Sequence, residues 1–331
     1  MHVVIAHNAP TPSRYADLGE QAAVDGVLES VAAVASALRL AEHRVDTMAL
    51  TPSLECAVAT VLAERADVVF NLFEGFDGQP ASEWRFAQAL ERAVPCTGAS
   101  SATLRLCLDK GAAKERFERA GIPTAPWQVL SSAEADRCSL HLPVIVKPLS
   151  EDASHGLSDA SIVTNKAALA ERIARVEHYY AGPALVEEFL PGREFNVAVL
   201  GSHSPRVLPP SEMVYASGAG APRILSFASK WDEHHPDYAA ISVRCPAEAD
   251  ADTMAEIAGL ALCTHAAVGS PAYLRVDLRQ DTEGRLSVIE ANPNPDIAPS
   301  AGFALQARAG GLSYEQMVSA IVAQVVGGVR G

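Results

Sequence analysis

The run RVDLRQDTEGRLSVIEANPNPD, residues 275–296, constrains the fold more than any other stretch. It reads as two strands of alternating apolar residues around a polar, glycine-containing turn. With Thr282–Arg285 as the loop, Asp277 faces Glu290 and Arg275 faces Asn292 on one side of the sheet. Two carboxylates opposite each other destabilise a ladder unless something cationic lies between them. A hard divalent cation takes oxygen ligands, and Mg2+ commonly uses one or two carboxylates together with substrate phosphates. Asp277, Glu290 and the amide oxygen of Asn292 suit such an ion. The other reading is a solvent-facing hairpin in which Arg275 and Arg279 balance the acids. Either way, Asn-Pro-Asn-Pro ends the second strand, because proline has no N–H for the ladder.

A chain of 331 residues exceeds what one hydrophobic core usually serves, so two or three domains are expected. Its net charge of −14 argues against a nucleic-acid backbone or an anionic membrane as main partner. An anionic ligand must therefore meet a local basic cluster. The opening MHVVIAHN has too short an apolar run for a signal segment, and no later stretch approaches 18 apolar residues. The cysteines at 56, 96, 107, 138, 245 and 263 form no C-x-x-C pair, as expected of reduced thiols in a cytoplasmic protein.

The N-terminal pattern alternates: strand 2–6, an amphipathic helix from 24 to 38, strand 44–48, helix 57–65 and strand 66–75. Such alternation predicts a parallel sheet with right-handed crossovers and ligands at the carboxyl ends of its strands. NLFEGFDGQ, which contains Glu74, falls at such an end; it is a ligand loop or an ordinary turn. One helix is expected over 101–120, stopping at Gly121 with Pro123 beyond. Strand 142–149, helix 166–180 and strands 183–190, 193–201 and 206–216 follow. The segment 217–240 reads as irregular, and helix 249–268, the hairpin and helix 313–326 complete the order.

Basic groups interrupt apolar runs at informative points. Lys147 in LPVIVKPL is costly to bury unless its ammonium meets an anion. The small-residue loop Ala153-Ser154-His155-Gly156 after it could offer N–H groups and a hydroxyl to phosphate oxygens, although it is not a Walker sequence. VEEFLPGREF has the layout of a hinge: Phe189 and Leu190 could cover a flat ring while Glu187 or Glu188 takes a ribose or an amino group. Its alternative is an edge strand with solvated acids. Lys110 lies on a helix with Lys114 one turn later. A zinc centre on His234-His235 is disfavoured, since adjacent residues of an extended chain point to opposite faces.

These segments together resemble the ATP-grasp enzymes of the D-alanine–D-alanine ligase type. LDK at Lys110, LPVIVKP, ALVEEFLPGREFNVAVLG, the 275–296 hairpin and ARAGGLSYEQMV agree in order and spacing over about 66–331. The resemblance implies an α/β (α+β) ATP-grasp fold: an N-terminal Rossmann-like parallel sheet (1–105), a central lid (106–186) and a C-terminal mixed-sheet catalytic domain (187–331). ATP would lie between the last two. Carried over residue by residue, Lys110 and Lys147 match the nucleotide-phosphate lysines, and Ser154 and Gly156 the phosphate loop. Glu187, Glu188, Phe189 and Leu190 match the adenine hinge, Glu194 the ribose acid and Lys230 a substrate-side loop lysine. Asp277, Glu290 and Asn292 match the ligands of two Mg2+ ions (Mn2+ as an alternative), and Arg275 the arginine that steadies the tetrahedral intermediate. The implied partners are a small-molecule carboxylate and amine, with neither nucleic acid nor membrane. Some members dimerise through the N-terminal domain, so a homodimer is a further expectation.

Departures from the family cluster at the amino-acid subsites. No acid equivalent to the one that holds the first ammonium is obvious in HNAPTPSRYADLGE, although Asp17 or Glu20 could substitute. Ala153 and Trp231 stand where the family has a serine and a tyrosine, and Glu74 where histidine is usual. Asp296 follows Pro295 in place of glycine, and Ala301-Gly302, after Ser300, replace Ser-Leu. Glu74, Trp231, Asp296 and Ser300 are therefore the substrate-side candidates. The pattern predicts a carboxylate–amine ligase whose substrate is not D-alanine. Its alternatives are a true D-alanine–D-alanine ligase of peptidoglycan synthesis and a nucleotide-binding protein without turnover.

Overall fold

Val3 to Ala6 are fully buried in the first strand, as a continuous apolar run demands when both faces of a sheet are covered. The computed structural model describes residues 1–9, 26–76, 79–151, 154–216, 223–232, 234–235, 238 and 240–327. Within them β1 (His2–Asn8), β2 (Arg44–Leu50) and β3 (Val68–Leu72) form a parallel sheet in the order β2-β1-β3. Helix Val27–Leu40 presses Val27, Val31, Val34 and Leu38 onto one face, and helix Leu54–Ala63 presses Ala57 and Val61 onto the other. A helix at Ala81–Leu90, absent from the sequence reading, buries Phe86, Ala87 and Leu90. Its stripe is too short and polar for periodicity to reveal.

The helix expected over 101–120 is two, Ser101–Leu108 and Lys110–Arg119. Between them Asp109 is extended (φ −84, ψ 96), and its carboxylate accepts the Ala112 N–H at 3.0 Å. Aspartate is a strong N-cap, and a cap interrupts the backbone without interrupting the apolar stripe. Lys110 consequently begins a helix. The far end stops as expected. Gly121 (φ 70) lies beyond the last turn, with Gly121 N–H on Glu118 O and Ile122 N–H on Phe117 O, a Schellman pair.

A second sheet runs β4-β7-β5-β6, all antiparallel, from β4 (Trp127–Leu130), β5 (Val144–Pro148), β6 (Ile162–Val163) and β7 (Ala184–Glu188). Helix Lys166–Tyr180 backs it with Leu169, Ile173 and Val176. The third sheet runs β11-β10-β8-β12-β13, from β8 (Glu194–Leu200), β10 (Ser211–Tyr215), β11 (Ile241–Arg244), β12 (Tyr273–Gln280) and β13 (Leu286–Asn292). β9 (Arg206–Val207) adds to β8. The strand expected over 206–216 is thus divided, because Pro209 and Pro210 supply no N–H. The expected irregular segment contains a short helix, Phe227–Trp231. Helix Ala251–Ala267 covers the third sheet with Ile257 and Ala261. Helices Gly302–Ala309 and Tyr314–Gly327 close the architecture, and the latter joins helix Val27–Leu40 in one core. Among the described residues, no helix is long and apolar enough to cross a membrane.

The hairpin pairs Asp277 with Glu290 and Arg275 with Asn292, the expected register. Nearer the turn the pairing differs: Gln280 meets Leu286 and Leu278 meets Val288. The loop opens one residue earlier than expected, and an irregularity between Asp277 and Leu278 absorbs Ile289 as an extra residue of β13. The two offsets cancel at the acids.

Candidate active site

β12 lies between β8 and β13, so Asp277 has Asn196 on one side and Glu290 on the other. The Arg275 guanidinium grips Asp277 with Nε to Oδ1 at 2.8 Å and Nη2 to Oδ2 at 2.9 Å. Asn196 Nδ2 donates to Asp277 Oδ1 at 2.8 Å. Lys110 Nζ, delivered by the helix that Asp109 starts, is 2.9 Å from Glu290 Oε1. Burial alone would push the Glu290 carboxyl up; Lys110, Lys147 and Arg275 outweigh it and hold the group at about 2. Asn292 Oδ1 accepts the Asn294 N–H at 2.9 Å and keeps a second lone pair. Two carboxylates and an amide oxygen on facing strands are a donor set that a hard divalent cation would accept. Asp277 and Arg279 are only 6% and 5% exposed, so the solvent-facing hairpin is excluded.

Lys147 on β5 and Glu187 on β7 belong to adjacent strands. Glu187 Oε2 pairs with Lys147 and Oε1 with Lys114. Expected on a hinge facing a ligand, Glu187 is instead 2% exposed and enclosed by two ammonium groups. A single strand's sequence does not reveal which of two adjacent acids points inward. Burial would raise the Glu187 carboxyl, but Lys114 and then Lys147 bring it below the usual carboxylate range. Glu188 faces outward, where it accepts the His141 main-chain N–H at 2.9 Å and meets its ring at 2.8 Å. Phe189 and Leu190 are half-buried, with the Arg279 guanidinium 5.0 Å from the Phe189 ring centroid. Arg279 also reaches Glu194 Oε2 at 3.1 Å, and Tyr215 donates its hydroxyl to the same oxygen at 2.7 Å. Neither Arg279 nor Tyr215 was singled out from the sequence as a support for Glu194.

Ser154 (φ 64) and Gly156 (φ 75) adopt left-handed backbone. A Cβ on Gly156 would meet Pro148 at 2.8 Å and Tyr180 at 2.9 Å, so only glycine fits there. The Gly156 carbonyl accepts from Arg172. His155 is buried and stacks on Phe227 at 5.3 Å, while Phe227 N–H donates to Leu157 O. This stack joins the loop to the short helix that carries Lys230, a link between distant segments that sequence patterns do not show. Burial lowers the Lys230 ammonium, as does Arg275, against Asp296, Asp277 and Glu290. The Trp231 side chain lies outside the described residues, as do Ala153, Asp17 and Glu20.

Glu74 is exposed after β3, and its N–H donates to Asn8 Oδ1 at 3.2 Å, at the carboxyl ends of the parallel strands. Asp296 Oδ1 accepts from Ser30 Oγ at 2.9 Å and from Ala298 N–H at 2.8 Å. Ser300 donates to Glu29 at 3.1 Å. Both therefore lean on helix Val27–Leu40. Asn294, between the two prolines, donates to Glu83 Oε1 at 2.7 Å and accepts from Tyr273 at 3.4 Å. The Glu83–Asn294 pair was missed by sequence reasoning; its only signal was a second asparagine after Asn292.

The D-ala D-ala ligase C-terminus family model matches residues 117–323. An uncharacterized protein of Sinorhizobium fredii is 33% identical over 267 residues, covering 79% of this chain and 75% of that protein. A D-alanine–D-alanine ligase of Pseudomonas putida is 30% identical over 313 residues, covering 93% and 91%. Among solved structures, D-alanine–D-alanine ligase from Bacillus anthracis complexed with ATP superimposes with a TM-score of 0.74 at 17% identity, covering 98% of each chain. VanG D-Ala:D-Ser ligase from Enterococcus faecalis gives 0.73 at 19% identity, covering 98% and 99%. At these identities the structures share the fold.

Proposed function

The chain belongs to the D-alanine–D-alanine ligase family of ATP-dependent ligases, and we propose that it joins a carboxylate to an amine through an acyl phosphate, releasing ADP and phosphate. The observation that carries this reading is the meeting of Asp277, Glu290, Lys110, Lys147 and Arg275 in one charged cluster. A carboxylate is a poor acceptor for an amine because its leaving group would be oxide. Transfer of the γ-phosphoryl group of ATP onto it makes phosphate the leaving group. Lys110 and Lys147 hold the phosphates, with Ser154 and Gly156 offering main-chain N–H groups. The main chain at Glu188 and the side chains of Phe189 and Leu190 line the adenine, Glu187 orients Lys147, and Glu194, braced by Arg279 and Tyr215, takes the ribose. Asp277, Glu290 and Asn292 would hold two Mg2+ ions, or Mn2+, and these would supply charge neutralisation at the transferring group. When the amine attacks, Arg275 stabilises the oxyanion, and Lys230 beside it receives the phosphate side. In this reading ATP lies between the second and third of three domains, 1–105, 106–186 and 187–331, and strand β7 crosses the second boundary. A cytoplasmic location and a homodimer accompany the proposal.

The substrate we propose is not D-alanine. Asp296, and Ala301-Gly302 after Ser300, support this, because they put a carboxylate and no hydroxyl where an acceptor's carboxylate would bind. Glu74 and Trp231 are the other substrate-side groups. Identity of 30% over 93% of the chain favours a second reading, a true D-alanine–D-alanine ligase. A phosphate-release screen over D- and L-amino acids and small carboxylic acids, with mass spectrometry of the products, separates the two. D-alanyl-D-alanine as the dominant product would overturn the substrate claim, and absence of ATP-dependent product from every pair would overturn the ligase claim.

A further inference from the structure

Lys114 has no part in the roles assigned above. It follows Lys110 by one turn, and its side chain is 1% exposed. An ammonium buried so completely is costly unless acceptors and an anion receive it. Its Nζ meets Glu187 Oε1 and donates to Thr124 Oγ1 at 2.6 Å. Thr124 in turn donates to the Val288 carbonyl of β13 at 2.7 Å. The other oxygen of Glu187 meets Lys147. One buried carboxylate is thus shared by two lysines, and the row Lys114–Glu187–Lys147 contains one more cation than anion. An anionic group brought to Lys147 offsets that surplus.

We propose that Lys114 is a positioning residue for Lys147: by sharing Glu187 it leaves the Lys147 ammonium donors for a nucleotide phosphate, and through Thr124 it ties the second sheet to the strand that carries Glu290. The inference rests on the nucleotide-binding reading above. Without Lys114, Glu187 would have Lys147 as its one ammonium partner within the row, and the pair would be neutral. A phosphate arriving at Lys147 would then compete with a buried carboxylate for the same N–H groups.

Lys114→Met keeps the length of the side chain and removes its charge. ATP binding to the full chain is measured by calorimetry for wild type, Lys114→Met, Glu187→Gln and the double variant, and the KM of each substrate by steady-state turnover. Lys114→Met is expected to weaken ATP binding about tenfold while leaving the KM of the amine unchanged. In the Glu187→Gln background the same substitution should have little further effect, because no carboxylate remains to be shared. A folded Lys114→Met that binds ATP like wild type overturns the inference. So does an equal loss in both backgrounds, which marks a structural role. If Lys114→Met does not fold, Lys114→Gln replaces it, since the amide keeps a donor for Glu187 and Thr124 without the charge. A wild-type chain that does not bind ATP overturns the functional reading and the inference with it. Unchanged binding by the variant beside a wild type that binds overturns the inference alone.

Discussion

The cluster around Glu187 and Glu290 and the cluster around Asp296 are held by different kinds of bond. In the first, Lys114, Lys147 and Lys110 meet Glu187 and Glu290, Arg275 grips Asp277, and Arg279 meets Glu194. Most of these groups stand on strands or on the first turn of a helix. In the second, Asp296 is met by a hydroxyl and a main-chain N–H, Ser300 by Glu29, and Asn294 by Glu83. Asn294, Asp296 and Ser300 stand on the connection between β13 and helix Gly302–Ala309. Removing one member of a buried ion pair orphans a charge, which costs more than losing one hydrogen bond between a carboxylate and a neutral donor. The first cluster therefore resists substitution, whereas the second, the proposed substrate side, can change with less loss of stability.

The largest expected effect lies in the ionic cluster. Glu290→Gln should reduce ADP formation to background while the circular dichroism spectrum and cooperative melting remain, because it weakens the proposed metal ligand while its amide oxygen still accepts from Lys110. Turnover within tenfold of wild type would break the comparison. The same carboxylate has an acid signature. Its folded pKa of about 2 lies below the usual 4.5, so its stabilisation is complete above the ordinary value and is lost as the pH falls through about 2. Denaturation midpoints followed from pH 5 to 2 should fall less steeply in Glu290→Gln than in wild type. A middle-sized effect belongs to His155→Ala, which removes the stack on Phe227. Such pairs contribute about 0.5–1.5 kcal/mol, so the KM for ATP should rise by up to about tenfold. An unchanged KM would mean that the loop needs no support from the helix of Lys230. The smallest effect on turnover is expected of Asp296→Gly, whose two lost hydrogen bonds cost about 1–2 kcal/mol of stability, read by thermal melting. Its acceptor profile should shift toward amino acids, and an unaltered profile would remove Asp296 from the specificity argument.

The acids at 277 and 290 were legible because strand periodicity is strict and the turn is short. The register survived an error in the loop only because the extra residue at Ile289 compensated for it. The start of a helix at Lys110 was not legible, since Asp109 breaks the backbone while the apolar stripe continues. The inward turn of Glu187 depends on a neighbouring strand, β5, and on Lys114 from a helix. The Asn294–Glu83 and His155–Phe227 pairs join segments far apart in the chain, where no local pattern extends. Short helices with weak stripes, Ala81–Leu90 and Gly302–Ala309, escaped for the same lack of period.

Helix Tyr314–Gly327 lies in one core with helix Val27–Leu40 and the first sheet, and Ile297, Met317, Val318 and Ile321 belong to that core. On the ribosome, β1 to β3 emerge long before these residues exist. One face of the parallel sheet must wait, partly uncovered, through the synthesis of some two hundred further residues. Asp296 and Ser300, which flank Ile297 of that core and lean on helix Val27–Leu40, therefore have complete surroundings only once helix Tyr314–Gly327 has been made.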